Sequence, residues 1–283
     1  MNEAELLLSE VTHCSRASLY LNRDELLGQE QGTFVAAVLA RRSKGEPIQY
    51  ILEKAEFIGL EFSVTPAVFI PRPETEILVE TALRYLSAIS CQVSDGKVLD
   101  IGTGSGCIAI SLVKMLAAVH VDAIDISKAA LSVARDNALL NQVNHKIQFF
   151  QGDVLKSYDL SFGKLRTLHR RTLSNVEVRP STYDLIVSNP PYIPSGEIAI
   201  LAPELQWEPR MALDGGTDGL DFYRSIIGAA PRIVRRHGFM LLEIGFSQAD
   251  AVREIVRHTP ALEVVEIISD YNHMDRVMVI RYG

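Results

Sequence analysis

Short apolar runs punctuate the later part of this 283-residue chain, and stretches with helical spacing of apolar positions separate them. Runs at 97–101, 119–124, 147–151, 185–187 and 239–244 are rich in Val, Ile, Leu and Phe and end at turn or polar residues, as buried strands do. Two more follow near 264–268 and 277–280, while residues after 107, near 222–235 and over 247–256 have helical periodicity. Alternating strands and helices predict an α/β domain. Its seven strands predict a mostly parallel sheet with one antiparallel edge strand.

The start of the chain has a different pattern. Leu6, Leu7, Leu8, Val11, Leu26, Leu27, Phe34, Val35, Val38 and Leu39 recur at near-helical spacing, predicting a small helical domain over 1–54. Alternation around 57–64 predicts a two-stranded hairpin, which makes 55–72 a linker and 73–283 the α/β domain. Pro73 suits a first helical turn, and Glu74 and Glu76 favour its positive end. Arg72 and Glu74 fit either such capping or a role near a ligand.

The strand ends carry the chemistry. The run at 97–101 leads directly into Gly102-Thr103-Gly104-Ser105-Gly106 and then a helix, an arrangement that lets backbone approach a nucleotide-like ligand. A dinucleotide fingerprint needs a small residue at the sixth position of G-x-G-x-x-G, which here is Cys107. The glycines instead spell G-x-G-x-G, the spacing associated with S-adenosylmethionine, which has no pyrophosphate to cradle. Asp125, ending the second strand, stands where a carboxylate holds ribose hydroxyls, and Asp153, after the third, can accept from an adenine amino group. Both also fit simple caps.

Asn189-Pro190-Pro191-Tyr192 follows the fourth strand. A nitrogen conjugated to a carbonyl or a ring is a poor nucleophile and needs acceptors. The Asn189 side-chain oxygen and the Pro190 carbonyl supply two, orienting the nitrogen and stabilising the positive charge it gains on taking a methyl group. Pro190 and Pro191 stiffen the loop, and Tyr192 lies flat against a planar amide or base. Asn189 sits close enough to the donor to count among the cofactor residues too. At the carboxyl ends of successive strands, where open α/β sheets bind ligands, these elements predict an amino-group methyltransferase.

Composition narrows the partners. An apolar share of 47% and a charged share of 22% describe a globular protein, and a net charge of −7 lacks the basic surplus of a nucleic-acid binder. Cys14, Cys91 and Cys107 have no metal-ligand spacing and cannot all pair with one another, pointing to a reducing cytosol. No export signal, transit peptide or membrane-length apolar run is present, so the expectation is a cytoplasmic protein, and a monomer. His13, His120, His145, His258 and His273 show no paired ligand spacing, and no metal is expected. Cys107 has the character of a small packed thiol, Asp214 and Asp218 of turn residues, and the basic stretch from Lys164 to Arg171, within an insert at 159–182, of a solvated loop.

Longer segments carry a resemblance. Ile70-Pro71-Arg72-Pro73-Glu74-Thr75-Glu76, Asp100-Ile101 with the glycine loop, Ser188 through Ile193, Ala212 through Leu220 with Tyr223-Arg224, and Leu242-Glu243-Ile244-Gly245 with Gln248 resemble the HemK-type release factor glutamine methyltransferases, also called protein-(glutamine-N5) methyltransferases. The resemblance spans nearly the whole chain. It implies a Rossmann-like, seven-stranded S-adenosylmethionine-dependent methyltransferase domain with a small N-terminal helical domain, for partner recognition, joined by a β-hairpin. It also implies that the substrate is the glutamine side chain in the Gly-Gly-Gln motif of peptide chain release factors, in support of translation termination. Carried over by residue, Gly102 to Gly106 bind S-adenosylmethionine, Asp125 takes its ribose, and Asn189 through Tyr192 hold the glutamine amide. Where family members often have an aromatic residue after the acid of the third strand, this chain has Val154, leaving only apolar packing against the adenine.

Two other readings share these features. An adenine-N6 methyltransferase acting on DNA or RNA would use the same clamp on a flipped base, but neither a basic groove nor a separate recognition domain is evident. A non-catalytic module would bind S-adenosylmethionine alone, against which the intact Asn189 argues.

Overall fold

Alternation along the strands decides how the layers form. In the computed structural model, which describes residues 2–22, 24–90, 96–156 and 182–283, nine strands and nine α-helices are defined among the described residues. Strands β3 (Gly96–Ile101), β4 (Val119–Asp125), β5 (Ile147–Gln151), β6 (Tyr183–Ser188), β7 (Val234–Glu243), β8 (Leu262–Ser269) and β9 (Asp275–Tyr282) build one sheet in the order β5-β4-β3-β6-β7-β9-β8. One face of the sheet, including Val98, Leu185, Val187, Leu241 and Val279, packs with α5 (Pro73–Ser90), α6 (Cys107–Met115) and the end of α7 (Lys128–Leu140). The opposite face, including Ile101, Ile186, Leu242 and Ile280, packs with α8 (Asp221–Ile233) and α9 (Ala249–Arg257). Period-two alternation along buried strands thus gives a three-layer sandwich.

The antiparallel strand is not at the edge. β9 runs antiparallel to both β7 and β8, and β8 takes the edge. The connection between β8 and β9 is too short for a parallel crossover, so the pair must form a hairpin, and β9 then adds to β7. A second correction concerns the helix expected to run to Arg235. Helix α8 stops at Ile233, two residues after Pro231, and β7 begins at Val234 instead of Phe239. A register shift opposite Tyr183 and Leu185 absorbs the early start.

Helices α1 (Glu3–Thr12), α2 (Arg16–Leu21), α3 (Gln29–Arg42) and α4 (Ile48–Ile51) form the start of the chain, with Leu7, Val38, Ile48 and Ile51 buried together. Leu26 and Leu27, expected on a helix, lie in the loop before α3 with Leu26 almost fully exposed; Gly28 caps the helix after them. Strands β1 (Lys54–Phe57) and β2 (Leu60–Ser63) make the hairpin. It is fastened to the large domain by Phe57 and Phe62, which meet edge to face at 6.1 Å, and by Asn137 of α7. No helix among the described residues is long and apolar enough to cross a membrane. The insert at 159–182, with its basic stretch, falls outside the described residues except for Thr182, and Cys91 lies outside them altogether.

Strand order positions the site. β3 continues to β4 and β5 on one side, while β6 and β7 extend the other, so the order reverses between β3 and β6. Ile101 pairs with Ile124 on one flank and Ser188 on the other, bringing the carboxyl ends of β3, β4 and β6 level. A crevice forms outside a sheet at such a reversal, because the loops on its two sides depart in opposite directions.

Candidate active site

The glycine loop leaves β3 and the Asn-Pro-Pro-Tyr loop leaves β6, so segments nearly ninety residues apart border one cavity of about 720 Å³. Gly102, Thr103, Gly104, Ser105, Asp125, Asp153 and Val154 line one part, and Asn189, Pro190, Pro191 and Tyr192 another. Gly106 is absent from this wall. It caps α6 at φ +83°, where a Cβ would stand 3.0 Å from the Ile110 Cδ1 and 3.2 Å from the Ala134 Cβ, so its place among the cofactor residues is packing beneath the loop. A Cβ on Gly102 would meet nothing within 4 Å: open space flanks the backbone on the ligand side.

Asp125 Oδ2 accepts from the Gly104 N–H (2.9 Å) and Oδ1 from the Ser127 N–H (2.9 Å). Asp125 therefore holds the glycine loop and its own turn while lining the cavity. Burial raises its pKa against the opposing pull of those backbone donors. Asp153 accepts from the Leu155 N–H (3.0 Å) and pairs with Lys156, so it caps its turn and still borders the cavity. Val154 is buried in the core and exposes only its cavity edge. The open glycine flank, the carboxylate on the neighbouring strand end and the mostly apolar wall fit a nucleoside-bearing ligand. Asp100, under the loop, accepts from the Thr103 hydroxyl at 2.7 Å, and burial pushes its carboxyl up to about 7. The Cys107 thiol is pushed up to about 12 by burial, in keeping with packing rather than nucleophilic chemistry.

Asn189 is oriented from below. Its Nδ2 donates to the Thr75 Oγ1 (3.0 Å), and that hydroxyl donates to the Glu243 Oε2 (2.7 Å). Thr75 and Glu243 are both almost wholly buried. Burial pushes the Glu243 carboxyl up to about 7, while Thr75, Arg276 and Asn189 pull it down. Burial, reinforced by the Glu243 charge, pushes the Tyr192 phenol up to about 12, so the ring stays neutral. The Arg72 carbonyl accepts from the Thr75 N–H at the start of α5, while its guanidinium pairs with the buried Glu208 and lies 4.7 Å from the Phe69 ring centroid. Arg72, Glu74 and Arg276 all border the cavity.

The loop itself is clamped by its neighbours. Gln248 Nε2 donates to the Tyr192 carbonyl (3.0 Å), while the Ile193 N–H donates to Leu213 O and the Gly215 N–H to Ile193 O. Asp214 and Asp218 shape the adjoining turns, accepting from the Gly216 and Leu220 N–H groups. A Cβ on Gly215 would come within 2.8 Å of Pro191 O, and one on Gly219, at φ +74°, would collide with the Tyr192 carbonyl oxygen. Gly219→Ala is therefore expected to displace Tyr192 and cut turnover by about ten- to a hundredfold. Steady-state kinetics with cofactor affinity measured alongside checks this, since affinity should hold.

Asn137 and Arg276 were not singled out from sequence, and Thr75 stood within the Ile70–Glu76 segment without a role of its own. Asn137 ties the site to the hairpin: its Nδ2 donates to Ser105 O and to Ser63 O, each at 2.9 Å. Its signal was available, because it continues the buried stripe of Ala130, Leu131 and Ala134. A polar amide on such a stripe needs partners. Arg276 has no such mark, and only folding brings it and Thr75 to the cavity.

Comparison with known proteins agrees with this geometry. The PrmC N-terminal domain family matches residues 1–52, and the ribosomal protein L11 methyltransferase (PrmA) family matches residues 79–163. A methyltransferase of known structure from Pyrococcus furiosus, 16% identical, shares the fold with a TM-score of 0.51 over 87% of this chain and 98% of that one. The release factor glutamine methyltransferase of Geobacter sulfurreducens is 40% identical over 99% of this chain and 89% of its own length. That of Bacillus subtilis is 37% identical over 98% and 90%. Similarity of that degree, sustained from the first helices to the last strand, establishes that the chain belongs to the release factor glutamine methyltransferase family.

Proposed function

We propose that this protein transfers the methyl group of S-adenosylmethionine to the side-chain amide nitrogen, N5, of the glutamine in the Gly-Gly-Gln motif of peptide chain release factors. The observation that carries this reading is the Asn189 amide, held by Thr75 across the switch point from the glycine loop and bordering the same cavity. The Gly102–Ser105 backbone and Asp125 hold the cofactor, with Asp125 accepting from its ribose hydroxyls and Val154 packing on its base. When bound, S-adenosylmethionine supplies an electrophilic methyl group and leaves as S-adenosylhomocysteine.

The remaining work belongs to the chain. Asn189 Oδ1 and the Pro190 carbonyl accept the two N–H bonds of the substrate amide, turning its nitrogen toward the donor and stabilising its developing positive charge, which is discharged when one of those two protons passes to water. Tyr192, kept neutral by burial, stacks on the planar amide without adding charge. The apolar cavity wall limits water, which strengthens these hydrogen bonds.

The test is to incubate the enzyme and methyl-labelled cofactor with release factors, and separately with DNA, then map the label by mass spectrometry. The expected product carries one methyl group on the Gly-Gly-Gln glutamine. Label on adenine, or none on either substrate, overturns the proposal.

A further inference from the structure

We infer that Thr75 and Glu243 are positioning residues that fix which end of the Asn189 amide faces the substrate, an inference resting on the proposed function above. An asparagine can present either its oxygen or its NH2 to the cavity, and only the oxygen accepts the N–H of an incoming amide. A hydroxyl carries one proton. With the Glu243 carboxyl ionised, Thr75 spends it on the Glu243 Oε2 at 2.7 Å, so toward Asn189 its oxygen is available only as an acceptor, and the atom 3.0 Å away is the NH2. The Thr75 oxygen, held as an acceptor by Glu243, therefore draws the NH2 inward and leaves the oxygen facing outward.

The arrangement is rigid. Thr75 and Glu243 are almost fully buried, one on the first turn of α5 and the other at the end of β7, and neither comes from the loop that carries Asn189. The Thr75 N–H is held by Arg72 O at 3.0 Å, which fixes the turn. Without the hydroxyl, Asn189 would lose its oriented acceptor, and a reversed amide would set N–H against N–H and expel the substrate from its reactive pose.

Thr75→Val, which keeps the shape and removes the hydroxyl, and Thr75→Ser, which keeps the hydroxyl and removes the methyl, separate orientation from packing. In Thr75→Val, turnover on the release factor should fall about ten- to a hundredfold while cofactor affinity is unchanged. Thr75→Ser should stay within about threefold of the parent, since the oriented hydrogen bond survives. Glu243→Gln, which offers Thr75 an oxygen or an NH2, should fall between them. Equal losses in the valine and serine variants, or parent-like turnover in the valine variant, would overturn the inference.

A second measurement does not depend on turnover. The side-chain NH2 signals of Asn189 in nitrogen-15 NMR, assigned by their loss in Asn189→Ala, should be protected from exchange in the parent and Thr75→Ser and unprotected in Thr75→Val. If the parent methylates no release factor, the functional reading fails, and these signals still decide the inference: unchanged protection in Thr75→Val overturns it, and its loss sustains it.

Discussion

Asn189→Ala is expected to lower turnover at saturating cofactor by about two to three decades, the usual cost of deleting one preorganised electrostatic partner. The effect should fall on kcat, because the deleted oxygen matters most as charge develops on the nitrogen. The fold should survive the change. Gln248 and the backbone pairing of Ile193 with Leu213 and Gly215 hold the loop without the Asn189 side chain, and the Thr75 hydroxyl keeps its bond to Glu243. Cofactor affinity should remain close to that of the parent. Stopped-time assays at saturating cofactor, with calorimetry for affinity, check both halves, and near-normal turnover would reject the clamp.

Asp125→Ala is expected to act on the other ligand. Two losses combine: the acceptor for the ribose hydroxyls, and the partner of the Gly104 and Ser127 N–H groups, whose removal loosens the glycine loop. A hydrogen bond to a charged group contributes about 1.5–3 kcal/mol, so cofactor affinity should weaken by about ten- to a hundredfold or more. Asp125→Asn retains an oxygen for Gly104 and should lose less. Calorimetric titration with S-adenosylmethionine or S-adenosylhomocysteine measures this, and unchanged affinity in Asp125→Ala would reject the ribose assignment.

Much of the site was legible because its chemistry sits at strand ends that hydrophobic runs mark. Gly102 and Gly104 after β3, Asp125 ending β4, Asp153 beyond β5 and Asn189 after β6 each follow an apolar run, and all border one cavity. The misplaced antiparallel strand shows where such reading stops. The runs near 264–268 and 277–280 identify two strands, but which lies at the edge depends on the neighbour β9 finds, β7. Leu26 and Leu27 match helical spacing yet sit in a loop, because periodicity over a few residues does not say whether a core awaits them.

The amino-acid sequence by itself determined the fold class and the loops that line the cavity, since strand runs, glycine spacing and Asn-Pro-Pro-Tyr are local patterns with local physical causes. Tertiary structure alone decided the direction of the Asn189 amide. That direction depends on one proton of the Thr75 hydroxyl and on a carboxylate 168 residues away from it in the chain, which meet only after α5 and β7 pack together.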